Sequence, residues 1–129
     1  MITIVPPIES LRLSRTALLT TFRRNGVAVT TQIEIHAVGD RAYFYTWSTT
    51  GKVKRISNNP HVILTPCSLR GKVNGQTVEG IARPLEGNEA ARVQAIIGGR
   101  LQRWLWKLYN KHPRHAEQLL YEVSFITRN

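Results

Sequence analysis

Residues 27–47, VAVTTQIEIHAVGDRAYFYTW, decide the fold class of this chain. Val27, Val29, Thr31, Ile33 and Ile35 alternate with Ala28, Thr30, Gln32, Glu34 and His36, the period of a strand with one buried face. The second set is polar enough to meet solvent or a ligand. Gly39-Asp40 is a turn of the kind favoured between antiparallel strands. It delivers another run, Arg41 to Trp47, in which Tyr43, Tyr45 and Trp47 share a face. Strand, tight turn and strand together predict an antiparallel β architecture.

The second run leads into residues 45–60, YTWSTTGKVKRISNNP. Three hydroxyls (Ser48, Thr49, Thr50) precede Gly51, then come the cations Lys52, Lys54 and Arg55. Hydroxyls, backbone N–H groups at a glycine turn and paired cations are what a bound phosphate requires. A solvated turn leading into a surface helix is the alternative reading. The helix is predicted over 51–58 and stops at Asn59-Pro60, because proline biases the residue before it away from helix.

Upstream, Leu11, Leu18, Leu19 and Phe22 among arginines predict an amphipathic helix over 8–24, followed by an Asn25-Gly26 turn. Downstream, HVILTP (61–66) reads as a short apolar strand, 69–76 as a polar loop, and TVEGIARPL (77–85) as a strand. Its Gly80 permits a bend or the close approach of a neighbour. Asn88 is the expected N-cap of a helix carrying Ala90, Val93, Ile96 and Ile97, with Glu89 at its positive end and Gly98-Gly99 as breaker. Leu101, Trp104, Leu105 and Leu108 predict a second helical segment. Leu119, Tyr121, Val123 and Phe125 predict a final strand running to Thr127. Five predicted strands, with helices gathered late, describe a mainly β chain with peripheral helices: a small antiparallel barrel.

At 129 residues the chain is read as one domain, 1–129. No apolar run of membrane-spanning length occurs, and the N-terminus lacks the pattern of a secretory signal. The one cysteine, Cys67, cannot form an intrachain disulfide, which fits a reducing cytoplasm; after Pro66 it reads as a buried, inert thiol. Eighteen Lys and Arg against eight acids give a net charge of +10, so the partner is expected to be anionic. The cations are dispersed rather than concentrated in an arm, which argues against nucleic acid.

Several chemistries are excluded. Thr46 stands where a P-loop needs its first glycine, and no G-x-G-x-x-G follows a strand. The only aspartate, Asp40, lies in a turn, leaving no basis for a Ser-His-Asp triad. His112-x-x-His115 has a chelating spacing, but without further ligands it reads as two solvated histidines. Glu34 and His36 are either acid/base groups or the exposed half of an amphipathic strand. With no clear nucleophile or acid/base constellation, any difficult chemistry falls to a cofactor.

Three segments carry a family resemblance: LLTTFRRNGVAVTTQI (18–33), DRAYFYTWSTTGKVKRISNNPHVILTPCSLRGKV (40–73) and TVEGIARPLEG (77–87). They resemble the pyridoxamine-phosphate-oxidase-like FMN-binding split β-barrel proteins, and more narrowly the branch that uses the deazaflavin coenzyme F420. The resemblance spans roughly residues 15–127. It implies an antiparallel, homodimeric split barrel with two cofactor sites at the subunit interface. Ser48, Thr49, Thr50, Lys52, Lys54 and Arg55 match the segment that holds the cofactor's phosphate side. Thr30, Thr31 and Gln32 match the strand beside the deazaflavin ring. No catalytic side chain and no metal ligand is implied. Relatives on this fold bind FMN, haem or biliverdin instead. Where the family commonly has T-P-V-W-F, this chain has Thr31-Gln32-Ile33-Glu34-Ile35, which alters the wall near the ring. The expected function is hydride transfer between reduced F420 and a small organic acceptor, with non-catalytic binding of a deazaflavin, flavin or haem as the alternative.

Overall fold

A computed structural model of the chain describes residues 8–98 and 117–126. Its elements are α1 (Ile8–Arg12), β1 (Thr16–Phe22), β2 (Ala28–Glu34), β3 (His36–Val38), β4 (Arg41–Trp47), α2 (Gly51–Asn58), β5 (His61–Cys67), β6 (Val78–Leu85), α3 (Gly87–Ile97) and β7 (Gln118–Phe125). All pairings are antiparallel, in the order β2-β1-β5-β6-β7-β4-β3.

The two edges of this sheet are joined by a single residue. Glu34 ends β2 opposite Thr16, His36 begins β3 opposite Tyr43, and only Ile35 separates them. Two residues of extended chain span at most about 7 Å, so the edges must meet at that corner and the sheet curls into a split barrel. Ile35 is buried and its N–H donates to the Arg15 carbonyl at 2.9 Å, which fixes the corner.

The barrel interior is filled by Leu19, Ile33, Phe44, Val62, Leu64, Tyr121 and Val123, with Leu11 of α1 and Ile56 of α2 packed against them. Phe44 and Tyr121 stack with centroids 5.3 Å apart. Burying side chains of this size contributes roughly 1.5–3 kcal/mol each. A second apolar cluster lies on the outer face of the sheet, where Tyr43, Leu85 and Leu120 are covered by Ala90, Val93 and Ile97 of α3. Gly80 lets β6 lie close against β7: a Cβ there would stand 2.5 Å from Val123 Cγ1 and 2.8 Å from the Ser124 carbonyl oxygen.

The predicted strands at 41–47, 61–66 and 77–85, the final strand, the loop at 69–76 and helix α2 are all present. Three expectations are corrected. Residues 8–24 are not one helix: after five helical residues the chain becomes β1, with Ala17, Leu19 and Thr21 buried in alternation. Ladders to both β2 and β5 outweigh the helical spacing of the leucines, and the small or polar core positions Ala17 and Thr21 conceal the strand period. The run 27–36 is two strands, and with β1 the described residues hold seven strands rather than five; only β3 forms the Gly39-Asp40 hairpin, while β2 pairs with β1. Asn88 is not an N-cap, because α3 begins at Gly87 with Glu86 in the capping position and no side-chain cap bond. The segment 101–110, with Trp104 and Trp106, and the pair His112 and His115 lie outside the described residues.

Candidate functional site

The site is built where β4 runs into α2. The β4–β7 ladder is extended one step beyond Trp47 by Ser48, whose N–H donates to the Glu117 carbonyl (2.7 Å) and whose Oγ accepts the Glu117 N–H (2.9 Å). Thr50 then turns the chain: its N–H and its hydroxyl both donate to the Trp47 carbonyl at 3.0 Å, and its Oγ1 lies 3.0 Å from Thr46 Oγ1. Thr50 occupies the N-cap position of α2 in extended conformation, yet it makes no side-chain cap bond. Its hydroxyl is committed backwards, into β4. The first-turn N–H groups of α2 are thus left without the side-chain acceptor that helix starts commonly supply.

No acid offsets this positive end, since the first turn of α2 contains none. Val53 and Ile56, three residues apart, face the core, so the charged side chains flank the helix. Lys52 is half-buried, and loss of hydration lowers its pKa from the ordinary lysine value, with the nearby Arg55 charge adding to the effect. Arg55 donates through Nε to the buried Thr21 hydroxyl at 2.6 Å, which ties α2 to β1. Its guanidinium lies against bare Gly51, where a Cβ would stand 2.5 Å from Nη1.

All eight acids of the chain fall among the described residues. The ion pairs formed there join Glu9–Arg12, Glu34–His36, Asp40–Arg41, Glu122–Arg41, Glu79–His61, Glu89–Arg83 and Glu122–Arg83. None of them involves Arg23, Arg24, Lys52, Lys54 or Arg55. The acids that form ion pairs do so elsewhere, and this corner stays positive.

Two clefts flank α2. The first, about 230 Å³, lies between β2, β4 and α2 and is lined by Gln32, Ile33, Glu34, Tyr45, Thr46, Trp47, Thr50 and Lys52. The second, about 380 Å³, lies on the other side of α2 and is lined by Arg23, Arg24, Gly51, Lys54, Arg55 and Asn58. The predicted site residues are thereby divided: Gln32, Thr50 and Lys52 share the first cleft, and Lys54 and Arg55 share the second. Thr30, Thr31, Ser48 and Thr49 line neither. Thr30 faces outward, its Oγ1 2.8 Å from Thr20 Oγ1, and Gln32 donates through Nε2 to the Ser68 and Leu69 carbonyls at 3.3 and 3.0 Å. Thr49 is exposed. Thr31 Oγ1 is a buried hydroxyl oxygen without a hydrogen-bond partner among the described residues.

Arg23 and Arg24 belong with the cations of α2 but were not among the expected site residues. Their signal was the Asn25-Gly26 turn directly after them, which ends β1 beside the helix; Arg24 Nη2 lies 3.4 Å from Asn58 Oδ1. Cys67 is buried, its thiol 3.7 Å from Thr16 Oγ1. Among the described residues no group of three potential metal ligands comes together, and no helix is long and apolar enough to cross a membrane.

This architecture recurs in solved structures. HutZ, the heme storage protein from Vibrio cholerae, superposes with a TM-score of 0.70 at 15% identity, over 98% of this chain and 93% of that one. A FAD-binding protein from Mesorhizobium loti gives 0.68 at 11% identity, covering 92% and 84%. A candidate pyridoxamine 5'-phosphate oxidase from Listeria innocua gives 0.66 at 12% identity, covering 93% and 90%. The chain has the pyridoxamine-phosphate-oxidase-like split-barrel fold. No protein-family profile matches the sequence, and neither does any curated protein. At these identities the likeness is one of fold, and the split barrel carries flavin and heme binders alike.

Proposed function

We propose that this split-barrel protein is an F420-dependent oxidoreductase that transfers a hydride between the reduced deazaflavin and a small organic acceptor. The observation that supports it most is the N-terminus of α2, which lacks a side-chain cap, contains no acid, and is flanked by Lys52 on one side and by Lys54 and Arg55 on the other. Helix N–H groups and unpaired cations around a glycine favour a phosphate.

In this reading Ser48, Thr49, Thr50, Lys52, Lys54 and Arg55 hold the phosphate side of the coenzyme, while the strand segment Thr30, Thr31 and Gln32 runs along its ring, with Gln32 the one of the three that lines the first cleft. The deazaflavin supplies two-electron hydride chemistry when bound. Lys52, already partly stripped of water, loses little further hydration on meeting an anion. Tyr45, Trp47 and Ile33 give the first cleft apolar walls against which a planar ring can lie and from which water is displaced. Thr31 Oγ1 is a buried hydrogen-bonding atom that lacks a partner among the described residues. A homodimer with the site at the subunit interface completes the proposal, and Tyr45 and Trp47, both half-buried, are the aromatics that a second subunit would cover.

Fluorescence titration with F420 and with FMN tests the ligand: F420 is expected to bind more tightly, and equal or stronger FMN binding replaces the cofactor in this reading. Light scattering at micromolar concentration is expected to report a dimer, and a clean monomer removes the shared interface. The second reading, a binding protein without turnover, is supported by the heme storage and FAD-binding proteins that share the fold. Absorbance-monitored oxidation of reduced F420 by a panel of acceptors separates the two.

A further inference from the structure

A hydride delivered to a polarised C=O or to a C=C conjugated with a carbonyl forms a C–H bond and leaves an electron pair on the acceptor's oxygen. A proton must meet that pair. One wall of the first cleft holds the group placed to supply it. Glu34 lines that cleft, and it also lines a separate cavity of about 440 Å³ on the far side of the β2–β3 corner. Arg12, Ser14, Arg15, His36 and Ile97 are among the residues around that second cavity.

His36 Nε2 stands 3.6 Å from Glu34 Oε1, and the His36 ring meets Tyr45, a wall of the first cleft, edge-on with centroids 6.4 Å apart. The two side chains share one face because they are two residues apart in extended chain, on either side of buried Ile35. We propose that Glu34 and His36 form a proton-exchange pair, passing a proton from the second cavity to the acceptor in the cofactor cleft. Glu34 is the member that donates to the acceptor's oxygen. His36, reloaded from water in the second cavity, is the positioning residue that returns the proton to Glu34. The balance closes: the reduced deazaflavin gives up the hydride, and the acceptor gains it together with one proton from solvent. The inference rests on the oxidoreductase reading.

The surroundings suit the role. Burial lowers the pKa of His36 below the ordinary imidazole value, an effect that the Glu34 carboxylate opposes. Around the pair stand Arg12, itself ion-paired to Glu9 on α1, Arg15 on the following loop, Tyr43 and Tyr45 on β4, and Lys52 in the lining of the first cleft.

Two measurements test this. The first needs no cofactor: NMR titration of the His36 imidazole in wild type and in Glu34→Gln. The pKa should fall further in the variant, because the carboxylate that raises it is gone; an unchanged value overturns the pairing. The second is the rate of menadione reduction by reduced F420 across pH. The wild-type rate should fall as pH rises through the His36 pKa found by NMR. His36→Gln should lack that limb, and Glu34→Gln should be slower by roughly a hundredfold, within the usual range for lost acid–base catalysis. F420 affinity and melting behaviour in both variants should stay near wild type, which separates a lost proton path from a damaged fold. A wild-type pH profile in His36→Gln overturns the pair while leaving the oxidoreductase reading intact. F420 binding without turnover by any acceptor overturns that reading and the pair with it, even if the NMR coupling is found.

Discussion

Helices α2 and α3 begin alike and end in different roles. Each starts at a glycine (Gly51, Gly87) after an extended residue that makes no side-chain cap bond. In α3 the deficit is met from within the chain: Glu89 sits in the first turn, and Arg83 of β6 donates to both its carboxylate oxygens, at 2.8 and 3.2 Å. Arg83 is in turn bonded to Glu122 of β7 at 3.1 Å. In α2 the first turn has no acid, and the cations around it have no acidic partner among the described residues. A helix start that is electrostatically answered serves the fold, as α3 does by covering Tyr43, Leu85 and Leu120. One left unanswered, with Lys52 already partly stripped of water, leaves stabilisation for a ligand to supply.

The strongest way to break the contrast is to give α2 the acid that α3 has. Lys52→Glu removes a cation from the first cleft and puts a carboxylate in the first turn, where the helix dipole favours it. We expect F420 affinity to fall by about 2–4 kcal/mol, a hundredfold or more, from the lost charge-assisted bond and the new repulsion. Stability should hold or rise by about 0.3–1 kcal/mol. Isothermal titration and thermal melting read the two effects separately. Loss of both affinity and stability would mean that Lys52 supports the fold and that α2 is no different in kind from α3.

A smaller effect sharpens the same contrast. Lys54→Ala removes an exposed cation from the second cleft and should weaken F420 binding by about 1–3 kcal/mol. Arg92→Ala makes the same charge change on α3 and should leave binding nearly untouched. Raising salt should weaken the wild type more than Lys54→Ala, because fewer charges remain to be screened. Equal losses in the two variants would make the binding diffuse electrostatics and remove the α2 clefts as a site.

How much of this contrast is legible in the sequence depends on whether the signal is local. The turn Ser48-Thr49-Thr50-Gly51 and the cations after it are contiguous, so the positive start of α2 could be read directly. The break at Ile35 could not. Ile33 and Ile35 keep the same alternation on both sides of it, and the corner arises only because β2 pairs with β1 while β3 pairs with β4. β1 was concealed for a related reason: its core positions include Ala17 and Thr21, which carry no hydrophobic signature, and Thr21 is there to receive Arg55. Misreading β1 as helix also hid Arg23 and Arg24, which reach the α2 cleft only from the end of a strand. Asn88 reads as a cap because helix starts usually have one, whereas α3 relies on Glu89 and on Arg83, six residues earlier at the end of the preceding strand, a link that appears only once the strand and helix are folded against each other. Tyr43 alternates with Tyr45 and Trp47 in the sequence, and nothing local marks that α3 covers it within this chain.

The smallest prediction tests the α3 half of the comparison. The Arg83 bond holds the Glu89 carboxyl below its ordinary pKa, so the folded state binds its proton less readily than the unfolded chain does. Such a group contributes stability that is fully present above its unfolded pKa and lost as pH falls through its folded pKa. Glu89→Gln keeps the size of the side chain but removes that charge. Near neutral pH the variant should therefore melt slightly below wild type, and the gap should narrow as pH falls through and below the carboxylate range. The pair is exposed, so the gap should be small and should shrink in high salt. F420 affinity should not change, since Glu89 lines neither α2 cleft. A gap that persists at low pH would assign the loss to packing or helix propensity instead of charge. A loss of affinity would place α3 in the binding site and dissolve the distinction between the two helices.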